Sequence, residues 1–116
     1  MEFSFQKEYP LEERIKLCQK LKEEYSGKIP IILEKDKNSK VDEIKKKKFL
    51  ESEKFTLNEF LLRIKSKVTL PMYESLFFHI KGKTLESSKT LGEIYKLYKD
   101  SDGFLYIVYS SELVFG

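Results

Sequence analysis

Apolar and charged positions follow two rhythms along this chain, and the changes of rhythm mark its elements. Over residues 11–25, Leu11, Ile15, Cys18, Leu21 and Tyr25 recur at helical spacing with charges between them. That spacing predicts an amphipathic helix with one buried stripe. Pro10 stands where a helix start tolerates proline, and Ser26-Gly27 ends the pattern. Phe3, Phe5 and Tyr9 also need apolar neighbours, so a shorter helical piece is expected ahead of it. Lys28-Ile29-Pro30-Ile31-Ile32-Leu33-Glu34 is β-branched and apolar and reads as a strand. Pro30 has no N–H, which points to a sheet edge or an irregular start at that position. A polar stretch over 35–47 leads to a second short strand at Lys48-Phe49-Leu50, so the pair reads as a hairpin with a long basic loop.

The next helix is written most clearly. Thr56-Leu57-Asn58-Glu59 is a capping box, with Phe55 and Phe60 placed as a hydrophobic staple. Leu57, Phe60, Leu61, Ile64 and Val68 continue one apolar face, and Pro71 lies beyond its end. Residues 75–80 predict a third strand, closed near Gly82. Thr90-Leu91-Gly92-Glu93 is a second capping box and opens a short helix. Asp102-Gly103 turns the chain into a last strand. Its alternate sets, Phe104/Tyr106/Val108 and Leu105/Ile107/Tyr109, are both apolar or aromatic, so both faces need cover. The capped helix over 57–67 supplies one cover and the helix over 11–25 the other. The order of strands and helices after residue 27 is that of the ubiquitin β-grasp. The predicted class is α+β, a four-stranded mixed sheet with two additional N-terminal helices, the first and last strands parallel. One domain is expected over 1–116: a helical extension at 1–26, a core at 27–110 and a flexible tail at 111–116.

Length and composition agree with one soluble domain: 116 residues, 41% hydrophobic and 35% charged. Cys18 is the single cysteine, which excludes an internal disulfide and suggests a reducing compartment. No apolar run approaches a membrane span, and the N-terminus has no secretory pattern. Net charge is +3, unevenly placed. Residues 1–67 hold 17 Lys/Arg against 13 Asp/Glu, a net +4, whereas 68–116 hold 5 against 6. The excess peaks at Lys45-Lys46-Lys47-Lys48, which suits an acidic peptide, an anionic lipid surface or nucleic acid, or is a solvated loop. The aromatics are spaced for a core rather than for stacking on bases, so no nucleic-acid partner is expected. Cys18 on its apolar stripe reads as a small core residue. His79 is the single histidine, without ligands at metal spacing. No phosphate loop, nucleophile–base grouping or cofactor motif is present, so neither enzyme activity nor a cofactor is expected.

The last residue carries chemistry of another kind. Gly116 offers a carboxylate with no side chain beside it. Such a terminus fits a narrow enzyme channel and suits an acyl donor, a protein attached to something else through its own C-terminus.

These pieces together resemble a known family over the whole length. Phe3, Tyr9-Pro10, Ile29-Pro30, Ile32-Leu33-Glu34-Lys35, Lys46-Lys47-Lys48-Phe49-Leu50, Leu76-Phe77-Phe78, Asp102, Phe104-Leu105-Tyr106-Ile107, Tyr109-Ser110 and Phe115-Gly116 match the GABARAP branch of the ubiquitin-like autophagy modifiers. The resemblance implies conjugation of Gly116 to phosphatidylethanolamine on autophagosomal membranes by dedicated activating and conjugating enzymes. It implies a cysteine protease that deconjugates, and that in many members first trims residues after the glycine; here no trimming is expected. It also implies a cytoplasmic pool beside the lipidated one. Cargo receptors and adaptors would bind through aromatic-x-x-aliphatic motifs beside acidic residues. The alternatives are a modifier attached to proteins, and a non-conjugated scaffold or microtubule-binding module.

Carried over residue by residue, the resemblance places the peptide along the strand edge at Lys48-Phe49-Leu50. Leu17, Leu21, Pro30, Ile32, Lys48, Leu50 and Phe104 would line the aromatic pocket. Phe49, Phe55, Phe60 and Ile64 would receive the aliphatic residue, and Lys28, Lys46, Lys48 and Lys67 would meet acidic flanks. Leu21, Ile32, Phe60 and Ile64 read equally well as core. The chain departs from the family pattern at Glu51, Ser52 and Arg63, where apolar residues or proline are usual, and at Leu17, where the pattern carries an acid.

Overall fold

The computed structural model describes residues 2–113. Two helices come first, α1 (Ser4–Glu8) and α2 (Leu11–Glu24). A five-residue helix is unstable by itself, and a distant strand holds α1 in place. Glu34 accepts hydrogen bonds from the Ser4 N–H (2.8 Å), the Ser4 hydroxyl (2.9 Å) and the Phe5 N–H (3.1 Å). That carboxylate does the work of an N-cap side chain, which Phe3 cannot do.

The buried stripe of α2 differs from the expected one. Cys18 alone is fully buried, Leu17 and Leu21 are half-buried, and Leu11 and Tyr25 are 44% and 47% exposed. The helix meets the sheet through its middle, so its ends overhang. The stripe also includes a charge. Arg14 reaches Asp102 with Nε to Oδ2 at 2.9 Å, and its Nη1 donates to the carbonyls of Gln6 (3.1 Å) and Tyr9 (2.6 Å). One guanidinium thus ties α2 both to α1 and to the turn before the last strand.

The sheet contains β1 (Lys28–Lys35), β2 (Lys48–Ser52), β3 (Glu74–His79) and β4 (Leu105–Leu113) in the order β2-β1-β4-β3. β1 pairs antiparallel with β2 and parallel with β4, while β3 pairs antiparallel with β4. This is the expected β-grasp arrangement. Pro30 is not at a sheet edge, because β1 is central. It is tolerated because β4 begins opposite the next residue, with Ile31 facing Leu105, so no partner awaits the missing N–H. The first three residues of the expected flexible tail are strand, and the other three lie outside the described residues. β4 continues through Ser111, Glu112 and Leu113, paired with Leu76, Ser75 and Glu74, so that part of 111–116 is strand.

The two faces of β4 are covered as its alternation requires. On one face Leu105, Ile107 and Tyr109 join the main core beneath α3 (Leu57–Lys65) and α4 (Leu91–Tyr98). On the other, Phe104 and Tyr106 join Phe3, Phe5, Cys18 and Ile32 beneath the N-terminal helices, with Leu17, Leu21 and Val108 packed against them. α3 starts with the predicted capping box, Thr56 Oγ1 accepting from the Glu59 N–H (3.1 Å) and Glu59 Oε1 from the Thr56 N–H (3.1 Å). At α4 Thr90 caps Glu93 (3.2 Å), but Glu93 Oε1 takes the Thr90 hydroxyl (3.1 Å) rather than its N–H, so half of that box forms.

Candidate functional site

Hydrogen-bond parity decides what the β2 edge offers. The Leu33 N–H donates to the Lys47 carbonyl (2.8 Å) and the Glu53 N–H to the Gly27 carbonyl (3.0 Å). In an antiparallel ladder the bonded positions alternate. Residues 47, 49, 51 and 53 therefore turn their backbone groups toward β1. Lys48, Leu50 and Ser52 turn theirs outward, where an edge strand has no partner among the described residues. An added extended segment can bond there through its main chain.

Side chains alternate too. Phe49 and Glu51 point to the α3 face, and Lys48, Leu50 and Ser52 to the α2 face. On the α2 face, Leu17, Leu21 and Leu50 are half-buried and Lys28 and Lys48 exposed, forming an apolar wall with a basic rim. Pro30 is buried behind it. Ile32 and Phe104 are also named as lining, but they are 0% and 1% exposed and belong to the core in this conformation. Phe104 meets Phe5 edge-on at 5.2 Å, which explains its burial.

The α3 face departs further from expectation. Phe60 and Ile64 are fully buried, and Phe49 is 5% exposed with its ring edge-on to Phe60 at 5.5 Å. These three are core, because this face of the sheet carries the main core cluster. Phe55 is half-buried and remains at the surface. The Arg63 guanidinium lies 5.8 Å from its ring centre, and its Nη1 donates to both carboxylate oxygens of Glu51, at 2.5 and 2.7 Å. Glu51 is buried while the Arg63 side chain is 51% exposed. Lys46 places Nζ 4.8 Å from the Phe49 ring centre, and Lys46 and Lys67 are exposed. Gly116 lies outside the described residues.

Two features escaped the sequence reading. Asp102 is fully buried and accepts from Arg14, the Phe104 N–H (2.8 Å) and the Tyr106 hydroxyl. Burial first, and then the Asp102 carboxylate, push the Tyr106 phenol far above its ordinary value. The signal was Arg14 itself, a charge one helical turn before Cys18 on the buried stripe. The second feature is a cavity of about 670 Å³ away from β2, bordered by Phe3, Gln6, His79, Lys81, Tyr106 and Val108. It forms where the N-terminal helices stop short of β3, which only their placement on the sheet reveals. Cys18 is inert packing: burial raises its thiol above the ordinary 9.0. Among the described residues no helix is long and apolar enough to cross a membrane, and no metal-binding cluster occurs.

Comparison with known proteins places this architecture. The family model for "Autophagy protein Atg8 ubiquitin like" matches residues 13–116. The Autophagy-related protein 8 of Candida glabrata is 33% identical, covering 100% of this chain and 98% of its own. That of Vanderwaltozyma polyspora is 34% identical over the same shares, 100% and 98%. The crystal structure of Trypanosoma brucei ATG8 superimposes with a TM-score of 0.90 at 34% identity, covering 100% of both chains. Fold, full-length coverage and family model agree, and this chain belongs to the Atg8 family of ubiquitin-like autophagy proteins.

Proposed function

We propose that the protein is joined through Gly116 to phosphatidylethanolamine on autophagosomal membranes, and that its β2 edge holds cargo receptors and adaptors carrying acidic-flanked aromatic-x-x-aliphatic segments. The observation that carries the reading is the free edge. Outward backbone groups at Lys48, Leu50 and Ser52 stand beside a half-buried apolar wall of Leu17, Leu21 and Leu50 and exposed Lys28, Lys46 and Lys48. Main-chain pairing supplies affinity, the wall takes an aromatic ring, and the lysines attract acidic flanks. Family membership supports the conjugation.

In that conjugation the terminal carboxylate attacks the α-phosphorus of ATP and releases pyrophosphate. A thiolate of the activating enzyme displaces AMP, and a conjugating enzyme takes over the thioester. The lipid amine then attacks the thioester carbonyl, forms the amide and releases the thiolate. The deconjugating cysteine protease reverses the last bond by hydrolysis. A cytoplasmic pool supplies the reaction.

The test is reconstitution with activating and conjugating enzymes, ATP and phosphatidylethanolamine liposomes. Intact protein gains the lipid mass, Gly116→Ala gains less, and the protein lacking Gly116 gains none. Equal behaviour of the intact and deleted forms rules out the acyl-donor reading. A mass gain on protein lysines instead of lipid selects the protein-modifier alternative.

A further inference from the structure

An extended segment paired with β2 shows its side chains alternately to the two faces of the sheet, so residues three apart point to opposite faces. A peptide whose aromatic ring lies on the α2 face therefore sends its fourth residue to the α3 face. The surface beside the edge there is not an open apolar pocket. Phe60 and Ile64 are sealed in the core, and what borders β2 is the half-buried Phe55 under the Arg63 guanidinium. Arg63 uses only Nη1 on Glu51. Its Nε and Nη2 meet no acceptor among the described residues, and half of the side chain is exposed. A guanidinium has five N–H donors in a fixed fork, so the free edge of the fork is preset for two parallel bonds to a second carboxylate. The two Nη1 bonds to Glu51 and the Phe55 ring, 5.8 Å from the guanidinium carbon, hold the fork in place. Exposed Lys46 and Lys48 add positive potential on the same edge.

We propose that Arg63 makes this groove select a carboxylate side chain, rather than an aliphatic one, three residues after the aromatic anchor. The proposal rests on the groove reading above: it keeps the edge pairing, the aromatic anchor and the acidic flanks, and replaces the aliphatic residue at the fourth position. Its occupant is an acidic peptide with one aromatic residue, and Arg63 is the residue that sets the preference. An aliphatic side chain at the same place would cover the free N–H groups without bonding to them, which is unfavourable for a polar group leaving water.

The experiment uses two tryptophan-anchored peptides with the same acidic leading flank, differing only in glutamate or leucine at the fourth position. Calorimetric titration of the full chain is expected to give about fivefold tighter binding for the glutamate peptide, the scale of one partly exposed charge-assisted contact. In the double variant Glu51→Leu/Arg63→Leu the order is expected to reverse. That exchange removes both charges together and so leaves neither unpaired. A second readout needs no variant: the Arg63 Nε–H resonance shifts with the glutamate peptide and stays in place with the leucine peptide. Leucine binding as well as glutamate in the unaltered protein, a glutamate preference that survives in the double variant, or an unmoved Arg63 resonance overturns the proposal while leaving the groove intact. Failure of both peptides to bind the unaltered protein overturns the groove reading and this proposal with it.

Discussion

Gly103 shows how one position joins two elements. Its φ of +93° lies in the region that side-chain-bearing residues avoid, and a Cβ there would stand 2.6 Å from Cys18 Sγ. Gly103→Ala is expected to cost about 2–4 kcal/mol, combining backbone strain with the clash. Cys18→Ala in the same chain should recover part of that loss, since it removes the clash and leaves the strain. Urea midpoints of the two single variants and the double one measure this, and strictly additive losses would show that the sulfur does not matter. The turn at Asp102-Gly103 was legible from the sequence, because the dipeptide is a local signal. Its closeness to Cys18 was not, because nothing local reports that residues 85 positions apart meet. The same limit explains the site. Leu17, Leu21 and Leu50 are half-buried, whereas Phe49, Phe60 and Ile64, which the resemblance names beside them, are buried in the core. An apolar residue next to lysines in sequence can still point inward, since strand neighbours face opposite ways.

Elements were most legible where their own sequence closes them. The capping box at Thr56 and Glu59 fixed the start of α3, and the alternation in β4 foretold two covered faces. α1 was foreseen only as a short helical piece, and its cap was not foreseen, because the capping group, Glu34, comes from another element. That borrowed cap gives a local expectation. Glu34→Ala removes the carboxylate that accepts three hydrogen bonds at the start of α1 and leaves the main core untouched. Amide hydrogen exchange should therefore accelerate at Phe5, Gln6 and Lys7 by about tenfold, matching about 1–2 kcal/mol of lost capping. Exchange in α3 and β4 should keep its rate. Uniform acceleration throughout the chain would mean that Glu34 supports the whole fold rather than one helix.

For the molecule as a whole, three buried phenols set an upper limit of pH. Tyr95, Tyr106 and Tyr109 are all raised above the ordinary 10.0, each chiefly by burial. Unfolded tyrosines ionise near 10, while the folded ones hold their protons longer. Above that pH the unfolded chain binds fewer protons than the folded one, so stability falls as pH rises. Their contribution is full below about pH 10 and is lost as pH climbs through the folded values. Denaturant midpoints at pH 8 and pH 11 should show the drop, and Tyr106→Phe should make it shallower. An unchanged midpoint at pH 11 would show that these hydroxyls ionise freely in the folded protein.

The order β2-β1-β4 also has a mechanical meaning if the chain is held at its C-terminus and by a ligand on β2. Leu50 lies opposite Pro30, one residue before the level at which Ile31 meets Leu105, and β4 runs on to Leu113. Leu50 and Leu113 are thus about 30 Å apart along the strands and about 10 Å apart across them. Tension between the two holds then acts nearly parallel to the strands. It loads the rungs between β1 and β4 together, in shear, instead of peeling them open one at a time. A protein loaded in this way yields at a rate set by its unfolding barrier, with many rungs sharing the strain.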